Sequence, residues 1–249
     1  MKNILIAAVA AGSLLSLSAN AGPSAKFAAT YNDETFPLAL VSLIDSADQP
    51  SDCKSADGFT RATIKVPQDK ELLVGVSAEV LLVTDTSVKG KAGGSARAVA
   101  YSAARVTVGA CPVDEGPSDA CVVAAPGGVT LNDRIQVLDA TLGGALTDCT
   151  DANGDGIISV DECTLTDEEI GLVLDTLSSH HFNFVLPDMN QGEYDIVALF
   201  GTEACNDISS DGDAEAMAFA VAGIGKYMLT VQQVRATKNG IIDAEIEEL

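Results

Sequence analysis

Tryptophan is absent from this 249-residue chain, tyrosine occurs only at Tyr31, Tyr101, Tyr194 and Tyr227, and histidine only at His180 and His181. So few rings argue against a sugar-binding or sugar-cleaving cleft, which stacks its ligand on aromatic faces. Positive charge is scarce as well. The 14 Lys and Arg stand against 36 Asp and Glu, a formal net charge of −22. A chain this acidic repels phosphate backbones and anionic lipid heads, so nucleic acid is a poor partner and cations are better ones. No CxxC or CxxCH spacing occurs, which removes thiol-redox, zinc and c-type haem chemistry. The G-x-S-x-G, HExxH and phosphate-cradling glycine motifs are missing too. His180 and His181 are adjacent, and adjacent residues of a strand point to opposite faces, so they cannot readily chelate one metal.

What is present begins with an export signal. Lys2 precedes the apolar run "ILIAAVAAGSLLSL" at 4–17, and "ANA" at 19–21 offers the small residues a signal peptidase reads. The run is too short for a membrane-spanning helix of about 20 apolar residues. Residues 1–21 are therefore expected to be a cleaved signal peptide, with the mature chain starting at Gly22. No second long apolar stretch follows, so no membrane insertion is expected. Export to the periplasm or the exterior gives the six cysteines a meaning: an even number in an oxidising compartment reads as three disulfides, with fifteen possible connectivities. Cys111 and Cys121 bracket a polar loop, Cys149 and Cys163 bracket an acidic one, and Cys53 is left with Cys205.

Alternation marks the strands. In 59–67, Ala62, Ile64 and Val66 alternate with Arg61, Thr63 and Lys65. Residues 36–45, 71–84, 97–110 and 121–131 are also strand-like, whereas 22–35 carry no periodic signal and 89–96 read as a loop. Residues 134–144 fit a strand or a short helix. One helix is predicted over 166–179. Thr166 is a suitable N-cap, Glu169 its capping-box partner, and Ile170, Val173, Leu174 and Leu177 fall on one helical face. Strands resume from His180 onward. About ten strands with closely spaced turn signals predict one antiparallel β-sandwich or jelly-roll-like domain over 22–249.

The densest chemistry lies in "DANGDGIISVDE", 151–162. Calcium is a hard cation that takes six to eight oxygens from carboxylates, a main-chain carbonyl and water. Asp151, Asn153 and Asp155 alternate, Gly156 supplies a positive φ for the turn, Ile157 offers its carbonyl, Ser159 a hydroxyl, and Glu162 a two-oxygen closure. This stretch resembles the EF-hand calcium loop D-x-[DN]-x-[DN]-G-x5-E at every defined position. The resemblance covers only these twelve residues. It implies that Asp151, Asn153, Asp155, Ile157, Ser159 and Glu162 hold Ca²⁺. Gly143 and Gly144 interrupt any entering helix, so a free-standing loop inserted at 149–163 is expected rather than a helix–loop–helix pair. Asp207, Ser209, Asp211 and Gly212 echo the first half of the pattern, but Ala218 stands where the closing acid belongs. A hairpin loop with an Asp-Gly turn joining two strands explains that segment better.

These features point to a secreted calcium-binding β-sandwich. The metal is structural, and the role is adhesion or interaction with an unidentified extracellular protein or surface. A secreted hydrolase using a carboxylate pair, not located in the sequence, is the alternative, and an exported cation buffer a third reading. At a few millimolar calcium, an extracellular-type site adds on the order of 1 to 2 kcal/mol.

Overall fold

A computed structural model describes residues 26–32, 38–44, 51–67, 70–91, 93–113 and 121–234. The expected signal peptide at 1–21 lies outside them. Twelve strands run through the described residues: β1 Phe27–Asn32, β2 Leu38–Ile44, β3 Ser51–Val66, β4 Lys70–Gly90, β5 Gly94–Pro112, β6 Val122–Val123, β7 Val129–Leu142, β8 Ala145–Thr147, β9 Thr164–Thr166, β10 Glu168–Met189, β11 Gly192–Asp211 and β12 Glu215–Val234. β1 lies where no periodicity was legible. The expected loop at 89–96 shrinks to 91–93, and 121–131 holds only the two residues of β6 before β7 begins.

β8 and β9 form a separate two-stranded sheet, and the other ten strands form two antiparallel sheets. One runs β1–β12–β4–β10, with β2 sharing the β12 edge beside β1; the other runs β3–β11–β5, with β7 and β6 sharing the far edge of β5. The sheets face each other: β12 lies against β11 and β5, β4 against β5 and β7, and β2 against β3 and β11. Most successive long strands change sheet, so the orders β2–β12–β4–β10 and β3–β11–β5–β7 reproduce the double Greek-key connectivity of a jelly roll.

The helix expected over 166–179 is not formed. Those residues are the end of β9 and the first half of β10, which pairs with β4 from Glu168↔Gly90 to Met189↔Lys70. The same residues satisfy both periods. Ile170, Leu172, Leu174, Phe182, Phe184 and Leu186 alternate as well as Ile170, Val173, Leu174 and Leu177 repeat helically. A ladder of about 20 residues along β4 hydrogen-bonds the β4-facing edge of β10, and the isolated helical face has nothing to bury against. The expected N-cap is also committed elsewhere: Thr166 Oγ1 donates to the Ala145 carbonyl at 3.1 Å. Of the ambiguous segment 134–144, residues 134–142 are strand, within β7.

The interior changes character along its length. One end holds Phe184, Phe200, Ile64, Leu72, Val74, Leu186, Ile196 and Leu229, all buried. Towards the other end alanine takes over, with Ala96, Ala98, Ala214, Ala216 and Ala218 around Val88, Leu142 and Ile208. Three successive inward residues of β7 tie the open side of the sandwich to β10. Asn132 donates to Ser178 Oγ at 3.3 Å, Arg134 to the Leu174 carbonyl at 3.0 Å and to Thr176, and Gln136 to the Leu172 carbonyl at 2.5 Å. Gln136 is 4% exposed. It also accepts from Thr84 at 2.8 Å and donates to Thr86 at 2.7 Å, so its amide is satisfied where water cannot reach it.

Candidate metal site

The oxygen-rich loop hangs from a short hairpin between β7 and β10. β8 and β9 pair through Ala145↔Thr166, Leu146↔Leu165 and Thr147↔Thr164. Beyond them Cys149 and Cys163 are bonded, with Cα atoms 3.9 Å apart. A disulfide across the mouth needs the two ends of the loop side by side, and the Thr150 N–H to Glu162 carbonyl bond, at 3.2 Å, continues that closure. The other two expected pairs form too: Cys111–Cys121 and Cys53–Cys205. Three bridges and no free cysteine fit an oxidising compartment.

Inside the loop the acids turn toward the backbone. Asp151 accepts the N–H groups of Gly154 at 2.6 Å, Asp155 at 3.1 Å and Gly156 at 2.8 Å. Asn153 Oδ1 accepts Asp155 N–H and Asp155 accepts Ile157 N–H, both at 2.8 Å. Gly156 turns the chain at φ 82°, as its place in the pattern requires, and Gly154 does so at φ 75°. Glu162 reaches back from a single 3-10 turn, Val160–Glu162, to the N–H groups of Ala152 at 3.1 Å, Asn153 at 3.2 Å and Ser159 at 3.0 Å. The first and last acids are thus aimed back across the loop. Among the described residues, no three His, Cys, Asp or Glu side chains converge as a metal-holding group. The donor set nevertheless suits a hard cation: three carboxylates, an amide oxygen, a hydroxyl and the Ile157 carbonyl, with no sulfur or imidazole.

Hydrogen bonds from the backbone, that of Ser159 first, hold the Glu162 carboxyl below the usual carboxylate range, and the Ser159 hydroxyl does the same for Asp161. A lowered folded value means that Glu162 supports the loop fully above the unfolded value of about 4.3 and loses that support as pH falls through the lower folded one. In calcium-free protein, amide exchange at Ala152 and Asn153 is therefore expected to stay slow at pH 6 and to accelerate on acidification below about pH 4 beyond its intrinsic rate. Protection unchanged down to pH 2 would contradict these bonds.

Glu162 is half-buried and the rest of the loop is exposed. Ile157, Ile158 and Val160 are exposed on it, Leu146 on its hairpin, Ile135 and Val137 on β7, and Val173 and Leu177 on β10. The second acidic echo has a different fate. Asp207, Ser209 and Asp211 lie in β11, where Asp207 pairs with Arg97 at 3.6 Å, and Gly212 makes the turn into β12. That turn crosses from one sheet to the other instead of closing a hairpin. His180 and His181 stand in the middle of β10, not at a strand start, with different partners: His180 Nε2 meets Ser178 Oγ at 2.7 Å, His181 meets Ser77 and Asn183. The pairing of His181 with serine and asparagine carries no motif signature, because its members come from two strands about 100 residues apart in sequence.

No family model matches the chain, and no curated protein does. Solved structures of infectious bursal disease virus, of the Gt and Gx strains, align at 11% and 10% identity over 88% and 86% of this chain, with TM-scores of 0.15 and 0.12. The chain spans 45% and 46% of the length of those chains. Likeness at that level carries no argument.

Proposed function

We propose that this protein is a secreted β-sandwich that binds Ca²⁺ through residues 151–162, with a structural metal and a role in adhesion or extracellular interaction. The observation that carries the reading is the loop itself. A complete set of calcium-type oxygens sits between two bonded cysteines, with both terminal acids aimed across it. Asp151, Asn153, Asp155, Ser159, Glu162 and the Ile157 carbonyl would hold the ion. Calcium would replace backbone N–H groups as the partner of the carboxylates and neutralise their mutual repulsion. The exposed apolar side chains Ile157, Ile158 and Val160 on the loop and Leu146 on its hairpin support an interaction role, since clustered exposed apolar side chains mark contact sites.

The ion is expected to act locally. The loop is closed by its own disulfide and packs little against the sandwich, so an unfolded but oxidised chain retains part of its affinity. Binding to the unfolded state weakens any global stabilisation. With a Kd of about 10⁻⁴ to 10⁻³ M, a few millimolar calcium should suppress loop opening about tenfold. The global melting temperature should move by only a few degrees. Isothermal titration and amide exchange with calcium or chelator test this. Glu162→Gln and Asp151→Ala are expected to abolish the tenfold effect without changing the fold. A wild-type loop indifferent to millimolar calcium would remove these residues as ligands.

A further inference from the structure

On the outer face of the first sheet, away from the acidic loop, three polar side chains form a directed chain. Ser77 of β4 stands directly across from His181 of β10, and Gly75 across from Asn183. Ser77 Oγ lies 2.9 Å from His181 Nδ1, and His181 Nε2 lies 3.1 Å from Asn183 Oδ1. The roles follow from valence. An amide oxygen only accepts, so Nε2 carries the ring proton; Nδ1 is then a bare acceptor, and the Ser77 hydroxyl must donate to it. Gly75 makes room for this geometry. A Cβ there would meet Thr230 Oγ1 at 2.7 Å and His181 Cε1 at 3.2 Å. Beside the chain opens a shallow cavity of about 360 Å³, bordered by Ser77, His180, Tyr31, Tyr227 and the charged Glu79 and Lys226.

We infer that Ser77 is a nucleophile, activated by His181 as general base and positioned through Asn183, toward a small ester with an uncharged acyl group. The arrangement of nucleophile, base and orienting group is the one that acyl transfer requires, independent of the fold that carries it. The cavity lies at the lower end of small-ligand volumes, and the acidic surface disfavours anionic substrates. Ser77 Oγ attacks the acyl carbon while its proton passes to His181 Nδ1. The ester C–O bond breaks and the leaving oxygen takes that proton, departing as an alcohol. Water, deprotonated by the same nitrogen, then releases the carboxylic acid and restores Ser77.

The test uses the full oxidised chain with a fluorophosphonate probe, in which the Ser77 oxygen replaces fluoride on phosphorus. Mass mapping is expected to place the adduct on Ser77. Ser77→Ala should remove it, and His181→Gln should slow it by at least about 100-fold. Asn183→Ala should slow it about tenfold, with Asn183→Asp restoring most of the rate because an oxygen again holds the Nε2 proton. Ser55→Ala, in β3 of the other sheet, should label at the wild-type rate. His181 and Asn183 are exposed and Ser77 only half-buried, so unchanged circular dichroism and melting will separate lost chemistry from lost fold. No adduct on Ser77 of the folded wild type, or a wild-type rate in His181→Gln, would overturn the assignment.

Discussion

Replacing Cys53 and Cys205 together by serine is expected to cost about 4 to 5 kcal/mol of folding stability. The bridge joins β3 to β11 at directly paired positions and closes a sequence separation of 152 residues. Losing it frees the unfolded chain to explore far more conformations, while the folded state loses little. Cys53 is exposed and Cys205 half-buried, so serine at these positions buries no new polar group. The comparison that isolates the cause is Cys111→Ser with Cys121→Ser, whose bond spans only 10 residues. Chain entropy assigns that shorter loop about 2.7 kcal/mol, so the two double variants should differ by about 2 kcal/mol. Urea unfolding with a matched slope measures both. Equal losses would show that native-state contacts, not loop closure, set the contribution of the longer bridge.

Truncating Phe184 to alanine is expected to cost about 3 to 5 kcal/mol. The side chain is 0% exposed, lies within the largest buried cluster, and meets the Phe182 ring at a centroid distance of 5.1 Å. β10 is held along β4 and the facing strands β11 and β5 along each other in long ladders, so they cannot collapse into the space. Most of the cavity should therefore persist. The opposite change is expected to be harmful at the other end. Ala98→Val enlarges a fully buried side chain among alanines and should cost about 1 to 3 kcal/mol through overpacking. Thermal and urea unfolding of both variants check the gradient along the core. A Phe184→Ala loss below 1 kcal/mol would mean that the aromatic end is less tightly packed than its burial indicates.

Much of this architecture was legible residue by residue. The alternation of Ala62, Ile64 and Val66, the β-branched run of 71–84 and the apolar positions of 97–110 all became strands, because period two needs only one buried face to be realised. The local cysteine pairs were legible for a related reason: a bond across ten or fourteen residues asks only that a loop return on itself. The oxygen pattern of 151–162 likewise describes a local loop, so its turn at Gly156 and its closure at Cys149–Cys163 needed no distant partner.

Other features had no local solution. Residues 168–179 carry both a helical and an alternating set of apolar positions. The choice fell to β4, whose 21-residue strand offers an unfilled edge with a ladder bond for nearly every residue. β1 had no periodic signal because it is a short strand on the β12 edge, with a half-exposed pattern that marks no core face. The meeting of Ser77 with His181 and Asn183 depends on one register between β4 and β10. A shift of a single residue would turn the serine and the imidazole to opposite faces. Composition and spacing by themselves determined a β-rich chain, the two local disulfides and an oxygen-rich loop, since each is set by neighbours in sequence. Sheet order, the state of 168–189 and the outer-face chain of Ser77, His181 and Asn183 were decided only by tertiary structure, because strands far apart in sequence must first align before any of their side chains can meet.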